Sequence, residues 1–164
     1  MQDEGKLLYG PNRSPRNLSE YRDLPVKLHR TREALGYVLR APLQRYQLTD
    51  PQWRVLRILS TVDEIDTALL AKRSMLLGPS LSRILPDLRK RKLIASRASA
   101  SDKRRVCHSI TRRAVELIDR VAPQFNPFYA ELARRVSDKE MSTLNSMLDK
   151  LYLVLGDIGR QQAE

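Results

Sequence analysis

Cysteine is almost absent from this chain, because Cys107 is the only one among 164 residues. A single cysteine excludes an intramolecular disulfide and any zinc site that needs several thiolates. The chain also lacks the run of about 18 apolar residues that would cross a membrane. Its polar N-terminus has no apolar segment typical of a signal peptide. We therefore expect a cytoplasmic protein that is not inserted in a membrane.

Signatures of catalysis are also missing. The two histidines, His29 and His108, lie far apart in the sequence. No HExxH pair, phosphate-cradling glycine loop or local serine or cysteine nucleophile motif is present. We predict that the protein is not an enzyme and uses no cofactor.

Positive charge is what the sequence has in excess. The chain carries 30 Lys and Arg against 19 Asp and Glu, a formal net charge of +11. Between Arg83 and Arg105, nine basic residues face two acidic ones, a local net charge of +7. Such a concentration suits a polyanionic partner, and nucleic acid or an anionic membrane would both fit. The alternative is a solvated helix face without a partner.

The N-terminal part of the chain contains two kinds of segment. Residues 1–22 are interrupted by glycine and proline, which predicts an extension without its own core. Apolar residues at helical spacing then predict a helix over 26–46. Pro42 is expected to kink or break the last turn of this helix.

Three shorter helices follow. Thr49 or Asp50 is placed to cap a helix over 50–61. Another helix fits 67–74, and a further one begins at Gly78, which is followed by a proline. After this helix, "LIASRA" and "VCHSI" predict two strands joined by "SASDKRR". Helix, helix and hairpin in this order indicate a winged helix-turn-helix.

The C-terminal part is predicted to be helical. Thr111 is placed to cap a helical stretch toward Arg135, which "APQFNP" should bend. Ser137 and Glu140 form a capping box that opens a last helix. This helix carries an apolar stripe that predicts either a dimer seam or packing on the first helix of the same chain, or both. The stripe consists of Met141, Leu144, Leu148, Leu151, Leu155 and Ile158.

The predicted fold is therefore mainly α with a small β-hairpin wing. Residues 1–22 form the extension, and 23–164 form a single domain. Within this domain, a winged helix DNA-binding lobe spans about 48–111. Long helices over about 24–46 and 112–160 form the dimerisation region, so we expect a homodimer.

Between about Leu28 and Leu155, the sequence resembles the MarR family of transcriptional regulators. The stretch "LLAKRSMLLGPSLSRILPDLRKRKLIASRASASDKRRVCHSIT" is similar to the family's helix, turn, PS-[VL]-S-R-[IL] recognition helix and wing with a D-x-R motif. "REALGYVLRAPLQRYQLTDPQWRVLRIL" resembles the branch that regulates degradation of homoprotocatechuate and related aromatic acids. The resemblance implies a repressor that binds a pseudo-palindromic DNA operator and is released by a small anionic effector.

The expected DNA-binding residues lie on two elements. A recognition helix presents its first turns to base edges in the major groove, which places Pro79, Ser80, Ser82 and Arg83 there. Arg83 is the candidate for a guanine contact, with a phosphate contact as the alternative. Further basic side chains, Arg89 and Arg97, are expected to contact the DNA backbone.

The wing tip has a separate predicted role. By resemblance, Asp102 orients Arg104, and Arg104 enters the narrow, negative minor groove. Lys103 and Arg105 then bind flanking phosphates, which makes affinity depend on salt. The alternative is an ordinary charged β-turn.

The effector site is predicted partly from the resemblance. Arg32 matches an arginine of the aromatic-acid branch and is the candidate carboxylate clamp, since a guanidinium pairs with a carboxylate through two parallel hydrogen bonds. The candidate neighbours are His29, Tyr37, Trp53 and Arg57, for each of which a purely structural role is the alternative. The effector is expected to be an aromatic carboxylate or its CoA thioester. A DNA-binding antirepressor without an effector is the competing hypothesis.

Three further residues need a separate interpretation. Two of them depart from the family pattern, and the third is a cysteine that could sense oxidation in place of an effector. Pro86 lies inside the recognition helix, which we expect it to bend. Lys92 stands where relatives usually carry glycine, at a position that favours a left-handed backbone. Cys107 is interpreted as a small strand residue rather than a redox sensor.

Overall fold

The computed structural model describes residues 18–99 and 102–162. These residues belong to two compact units, which divide after Leu39 inside the first helix. Most of the predicted extension, residues 1–17, lies outside the described part. The elements in chain order are α1 (Leu18–Arg45), α2 (Asp50–Leu59), β1 (Ile65–Asp66), α3 (Thr67–Ser74), α4 (Gly78–Lys90), β2 (Ile94–Ala98), β3 (Val106–Ile110), α5 (Arg112–Val121), a 3-10 turn (Ala122–Phe125), α6 (Asn126–Arg135) and α7 (Asp138–Gln161).

The first helix is longer than the sequence pattern indicated. It begins at Leu18, so it includes the end of the predicted extension. The expected break at Pro42 is wrong, because α1 continues to Arg45. Pro42 removes one donor close to the helix end, and the next residue, Leu43, is almost fully buried in the core of the second unit. Burial of that leucine stabilises the last turn against the loss of one backbone hydrogen bond.

Side-chain caps confirm the predicted helix starts. The Thr49 side chain accepts a hydrogen bond from the Gln52 backbone, and the Gln52 side chain accepts one from the Thr49 backbone. Ser137 and Glu140 form the same reciprocal pair at α7. Thr111 caps α5. Each cap satisfies backbone donors that a helix start leaves without partners.

Three helices end without glycine. At the end of α4, the Lys92 N–H donates to Arg89 O and the Leu93 N–H donates to Leu88 O, both at 2.9 Å. This pair of bonds is the Schellman motif, which requires a left-handed residue after the helix. Lys92 thus keeps the left-handed backbone of the position where relatives usually carry glycine. Left-handed residues follow α1, α3 and α4 at Gln47 (φ 55°), Met75 (φ 52°) and Lys92 (φ 58°).

The wing belongs to a three-stranded antiparallel sheet with strand order β1-β3-β2. The predicted hairpin of β2 and β3 is confirmed, with Ser96 opposite His108. The two-stranded prediction is incomplete, because β1 pairs with β3 on its other edge, Ile65 opposite His108. Two residues are too few to show the alternation by which a strand is recognised in a sequence.

The core of the second unit is built from leucines of several helices. Leu56, Leu59, Leu70, Leu81 and Leu88 each have an exposed fraction of 1% or less. They come from α2, α3 and α4, so these three helices pack around one apolar centre. Removing such side chains from water is the main stabilising contribution to a domain of this size.

The last helix differs from these three, because α7 buries no residue within the chain. The predicted apolar stripe is therefore largely open, and Leu144, Leu148 and Leu155 are each at least 40% exposed. Among residues 18–99 and 102–162, no helix has the length and apolar character needed to span a membrane.

Candidate nucleic-acid interface

The recognition helix α4 separates its apolar and polar residues onto two faces. Leu81, Leu85 and Leu88 are buried, at the spacing that places residues on one side of a helix. All four residues predicted to read bases are exposed. They are Pro79, Ser80, Ser82 and Arg83. The structure thus presents them together at the N-terminal half of α4.

The polar side chains on this face differ in which hydrogen-bond donors and acceptors remain available to a partner. The Ser82 hydroxyl donates to Pro79 O at 2.9 Å. Its oxygen can still accept a hydrogen bond, because a hydroxyl has two acceptor lone pairs. Arg83 forms no hydrogen bond or ion pair with any described residue, so its guanidinium can bind an external acceptor.

Pro86 does not interrupt α4, which continues to Lys90. The residue after it, Asp87, accepts a hydrogen bond from the Gln52 side chain of α2 at 2.8 Å. The Asp87 carboxylate also lies 3.7 Å from Arg91. These contacts, with the buried Leu85 and Leu88, hold the second half of the helix in place.

The wing tip is fixed by main-chain hydrogen bonds. Ser99 N–H donates to Arg105 O at 2.8 Å, and Arg105 N–H donates to Asp102 O at 2.9 Å. The Asp102 carboxylate accepts from the Arg104 N–H at 3.0 Å. This last bond is the local turn that Asp side chains favour. Residues 100–101, which precede the turn, lie outside the described residues.

Arg104 is the most exposed charged side chain among the ion pairs of the wing, at 96%. Its Nε atom lies 4.0 Å from the nearer Asp102 oxygen, beyond hydrogen-bond distance. Asp102 therefore binds the main chain of Arg104 rather than its guanidinium. Contact through the main chain sets the direction of the side chain and leaves the guanidinium open to a ligand.

The remaining basic residues of the predicted interface fall into two groups. Arg97 Nε lies 2.5 Å from the Glu64 carboxylate, and Arg105 Nη2 lies 3.6 Å from the Asp66 carboxylate. Sequence reasoning missed both acidic partners, which come from β1 and the residue before it. Within the described ranges, the exposed Arg89 and Lys103 have no such partner.

The two acidic partners are held in their charged forms. The Arg97 guanidinium hydrogen-bonds the Glu64 carboxylate and lowers its pKa. The pKa of Asp66 is lowered by a hydrogen bond from the Leu69 backbone and by the charge of Arg105. Arg97 and Arg105 thus lie beside carboxylates that stay ionised at neutral pH, which reduces the positive potential they contribute.

A buried histidine lies beneath the wing, which the sequence did not indicate. His108 is 4% exposed. Its Nε2 is 2.9 Å from the Thr67 hydroxyl, and its Nδ1 is 2.9 Å from the Ser96 hydroxyl. Burial, together with the nearby charge of Arg89, lowers the pKa of His108. The neutral ring therefore joins α3, β2 and β3 at the base of the wing.

Cys107 is buried on the adjacent position of β3. Burial and the neighbouring Glu64 carboxylate raise the pKa of its thiol. A thiol with a raised pKa reacts slowly, because the thiolate is the reactive form. These properties support its interpretation as a small strand residue. No cluster of metal-ligating side chains occurs in the described ranges.

The predicted effector residues on the first unit all lie on α1. His29, Arg32 and Tyr37 are exposed there. The Arg32 guanidinium lies close to Gly36, one turn further along, where a methyl group would be 3.1 Å from Arg32 Nη1. Glycine at this position leaves room for the guanidinium to lie along the helix.

The other two effector candidates lie on α2 in the second unit. Arg57 is placed over the ring of Trp53, with its guanidinium carbon 5.9 Å from the ring centroid. The half-buried Trp53 packs against Phe125 at a centroid separation of 5.6 Å. Trp53 thus has both a structural contact and a cation-π contact.

Comparison with known proteins gives one family. A model described as the MarR family matches residues 46–105. The homoprotocatechuate degradative operon repressor of Escherichia coli is 29% identical over 134 residues, which cover 82% of this chain and 90% of the relative. The HTH-type transcriptional regulator FarR of Neisseria gonorrhoeae is 29% identical over 133 residues, 81% of this chain and 91% of its own.

Solved structures show the same architecture. Transcriptional regulator PA4135 has a TM-score of 0.75 at 26% identity, covering 80% of this chain and 96% of its own. NadR in complex with 4-hydroxyphenylacetate has a TM-score of 0.72 at 27% identity, covering 87% and 97%. The predicted winged helix fold is thereby confirmed, and these relatives are regulators rather than enzymes. Residues 46–105 therefore match the MarR family model, and the chain shares the winged helix-turn-helix fold of these transcriptional regulators.

Proposed function

We propose that the chain is a MarR-family transcriptional repressor that binds a pseudo-palindromic operator as a homodimer in the cytoplasm and is released by an aromatic carboxylate. The observation that carries the proposal is the exposure, at both positions that a winged helix brings to DNA, of an arginine whose guanidinium makes no hydrogen bond to a described residue. Arg83 lies on the exposed face of α4, and Arg104 lies at the wing tip with 96% of its side chain open.

In the proposed complex, the N-terminal half of α4 lies in the major groove. Arg83 contacts a guanine, since its guanidinium can donate to both acceptors on the major-groove edge of that base. Ser80 and Ser82 are short, so they allow close approach of the helix. Arg89, near the helix end, contacts phosphate.

The wing lies in the adjacent minor groove. Arg104 enters the groove, where the potential is most negative, and Lys103 contacts a flanking phosphate. Arg97 and Arg105 take smaller parts in this proposal than in the sequence prediction, because Glu64 and Asp66 already neutralise part of their charge.

The homodimer is proposed to form through α7. Its apolar residues repeat at intervals of three and four, which generates one continuous stripe along a helix. No residue of the stripe is fully buried by the described part of the chain. A second copy presents the same stripe, and mutual burial removes both from water. Dimerisation also matches the two half-sites of a pseudo-palindromic operator.

An aromatic carboxylate is the proposed effector class. NadR, a structural neighbour at 27% identity, is in complex with 4-hydroxyphenylacetate, and the Escherichia coli relative is named for homoprotocatechuate degradation. In this chain, Arg32 is the proposed carboxylate clamp, with His29 about one turn before it on α1 and Tyr37 five residues after it. Trp53 and Arg57, on α2 of the second unit, remain candidates from the sequence prediction.

The test begins with duplexes selected from a random pool by the purified protein. Fluorescence anisotropy then measures release of the selected duplex by 4-hydroxyphenylacetate, homoprotocatechuate and an aromatic acyl-CoA thioester. Release by the free acids, lost in Arg32→Gln and retained in the matched variant Arg30→Gln, supports the proposal. Release by the thioester alone favours that effector class. Selective DNA binding without release by any of the three favours the antirepressor.

A further inference from the structure

A cavity of about 330 Å³ lies in the second unit, and none of the residues predicted to bind DNA or effector lines it. It is bordered by the turn after α1, the end of α4 and the face of α5 that carries Arg113, Leu117 and Arg120. Three arginines line it: Arg91, Arg113 and Arg120. We propose that this cavity is a binding site for a small molecule that carries a phosphate monoester group.

Arg91 is held in position by the chain itself. Its Nη1 donates to Gln47 O at 2.8 Å, and its Nη2 donates to Tyr46 O at 3.2 Å. These bonds fix a guanidinium that still has unused N–H donors. A fixed guanidinium loses little conformational entropy on binding an anion, so it favours binding.

Arg113 and Arg120 are placed differently. They lie seven residues apart on α5, which is about two helical turns, so they emerge from the same face. Neither side chain has a hydrogen bond or ion pair to any residue that the structure describes. The Tyr46 hydroxyl donates to Arg120 O at 3.2 Å, which ties the turn after α1 to this part of α5.

The charges favour a dianion over a monocarboxylate. The lining contains three guanidinium groups and no carboxylate. Among the described residues, one acidic group, Asp87, is within ion-pair distance of these arginines, and its carboxylate is 3.7 Å from Arg91. Arg91, Arg113 and Arg120 thus leave about two positive charges uncompensated, the charge that a phosphate monoester supplies with opposite sign near neutral pH. Planar guanidinium groups also bind phosphate oxygens in pairs.

The cavity has an apolar part that accommodates the organic portion of such a ligand. Leu93, at the start of β2, and Leu117, one turn after Arg113, contribute apolar lining. Both leucines are buried. The volume is at the lower end of the range for small-molecule sites. A small ring or short chain attached to one phosphate therefore fits the composition of the lining.

Phenyl phosphate is a suitable probe, and benzoate is its monoanionic counterpart. Isothermal titration of the full chain at constant ionic strength should show phenyl phosphate binding about tenfold or more tightly than benzoate. Arg113→Gln and Arg120→Gln should each weaken phenyl phosphate binding by about tenfold, as expected when one charge-assisted hydrogen bond is lost. Amide resonances of Leu93 and Leu117 should shift on binding.

Arg112→Gln is the matched control, because it removes the same charge one residue away. Arg112 is 93% exposed, pairs with Glu116 and does not line the cavity. Equal losses in Arg112→Gln and Arg113→Gln would show general charge attraction and overturn the proposal. It is also overturned if phenyl phosphate does not bind, or if Arg113→Gln weakens binding to selected DNA as strongly as Arg104→Ala does without any ligand.

Discussion

Replacing Arg104 with alanine should weaken DNA binding while leaving the folded protein intact. The side chain is 96% exposed, and its distance to Asp102 exceeds that of a hydrogen bond. Its removal should therefore change the free energy of unfolding by less than about 0.5 kcal/mol. A homodimer loses two guanidinium groups, each worth about 1–3 kcal/mol in contact with bases. The expected loss of about 2–6 kcal/mol corresponds to roughly 30-fold to 10⁴-fold in Kd.

The assay is fluorescence anisotropy with a selected duplex at several salt concentrations. Two fewer contacts should reduce the slope of log Kobs against log salt by about 1.8. Arg97→Ala is the control, because it removes the same charge from a guanidinium already paired with Glu64 at 2.5 Å. We expect a smaller loss there. Unchanged affinity and slope in Arg104→Ala, or an equal loss in Arg97→Ala, would refute the proposed role of the wing tip.

Two substitutions of Asp102 can distinguish a role in positioning Arg104 from an effect of the Asp102 charge on DNA binding. Asp102→Ala and Asp102→Asn both make the wing more positive by one charge, so electrostatics alone predicts tighter DNA binding for both. Asn keeps an oxygen that can accept from the Arg104 N–H, whereas Ala does not. We expect weaker binding only in Asp102→Ala. Tighter binding in that variant would contradict the positioning role.

Three further outcomes are expected. Leu148→Asp should convert the dimer to a monomer in analytical ultracentrifugation, whereas Leu153→Asp should not, since five residues along a helix turn the side chain about 140° away; equal effects would exclude the stripe as the seam. Lys92→Gly should raise the free energy of unfolding in urea by up to about 1 kcal/mol, because glycine adopts the left-handed backbone of this position without strain, and a loss of stability would refute that reasoning. Burial lowers the pKa of His108 in the folded state, so the unfolded chain takes up the proton first as pH falls below the ordinary value of 6.5. The free energy of unfolding should therefore fall from that pH down to the lower folded-state pKa of His108. Urea titrations at several pH values should show no such fall in His108→Gln. The same pH dependence in both proteins would exclude His108 as the cause.

The helices and the wing could be predicted because their signals are local. Thr49 with Gln52, and Ser137 with Glu140, are capping pairs three residues apart, and both appear in the structure. The family motif likewise lies in one continuous stretch. Pro42 shows where local reasoning fails, because burial of the neighbouring Leu43 outweighs the missing backbone donor.

The candidate interface could be predicted only as a set of residues. Arg97 and Arg104 look equivalent in the sequence, yet one is paired with Glu64 and the other is open. The strand that brings Asp66 beside the wing is two residues long and has no pattern to recognise. His108 gave no signal of burial, because its partners Thr67 and Ser96 are distant in sequence.

The sequence by itself determined the order of elements, the positions of the helix starts and the concentration of positive charge between Arg83 and Arg105. These properties depend on residues within a few positions of one another. The tertiary structure decided which of those charges remain available, and it assembled Arg91, Arg113 and Arg120 around one cavity. Ion pairing and cavity formation depend on distances through space, which the packing of helices around the buried leucines sets.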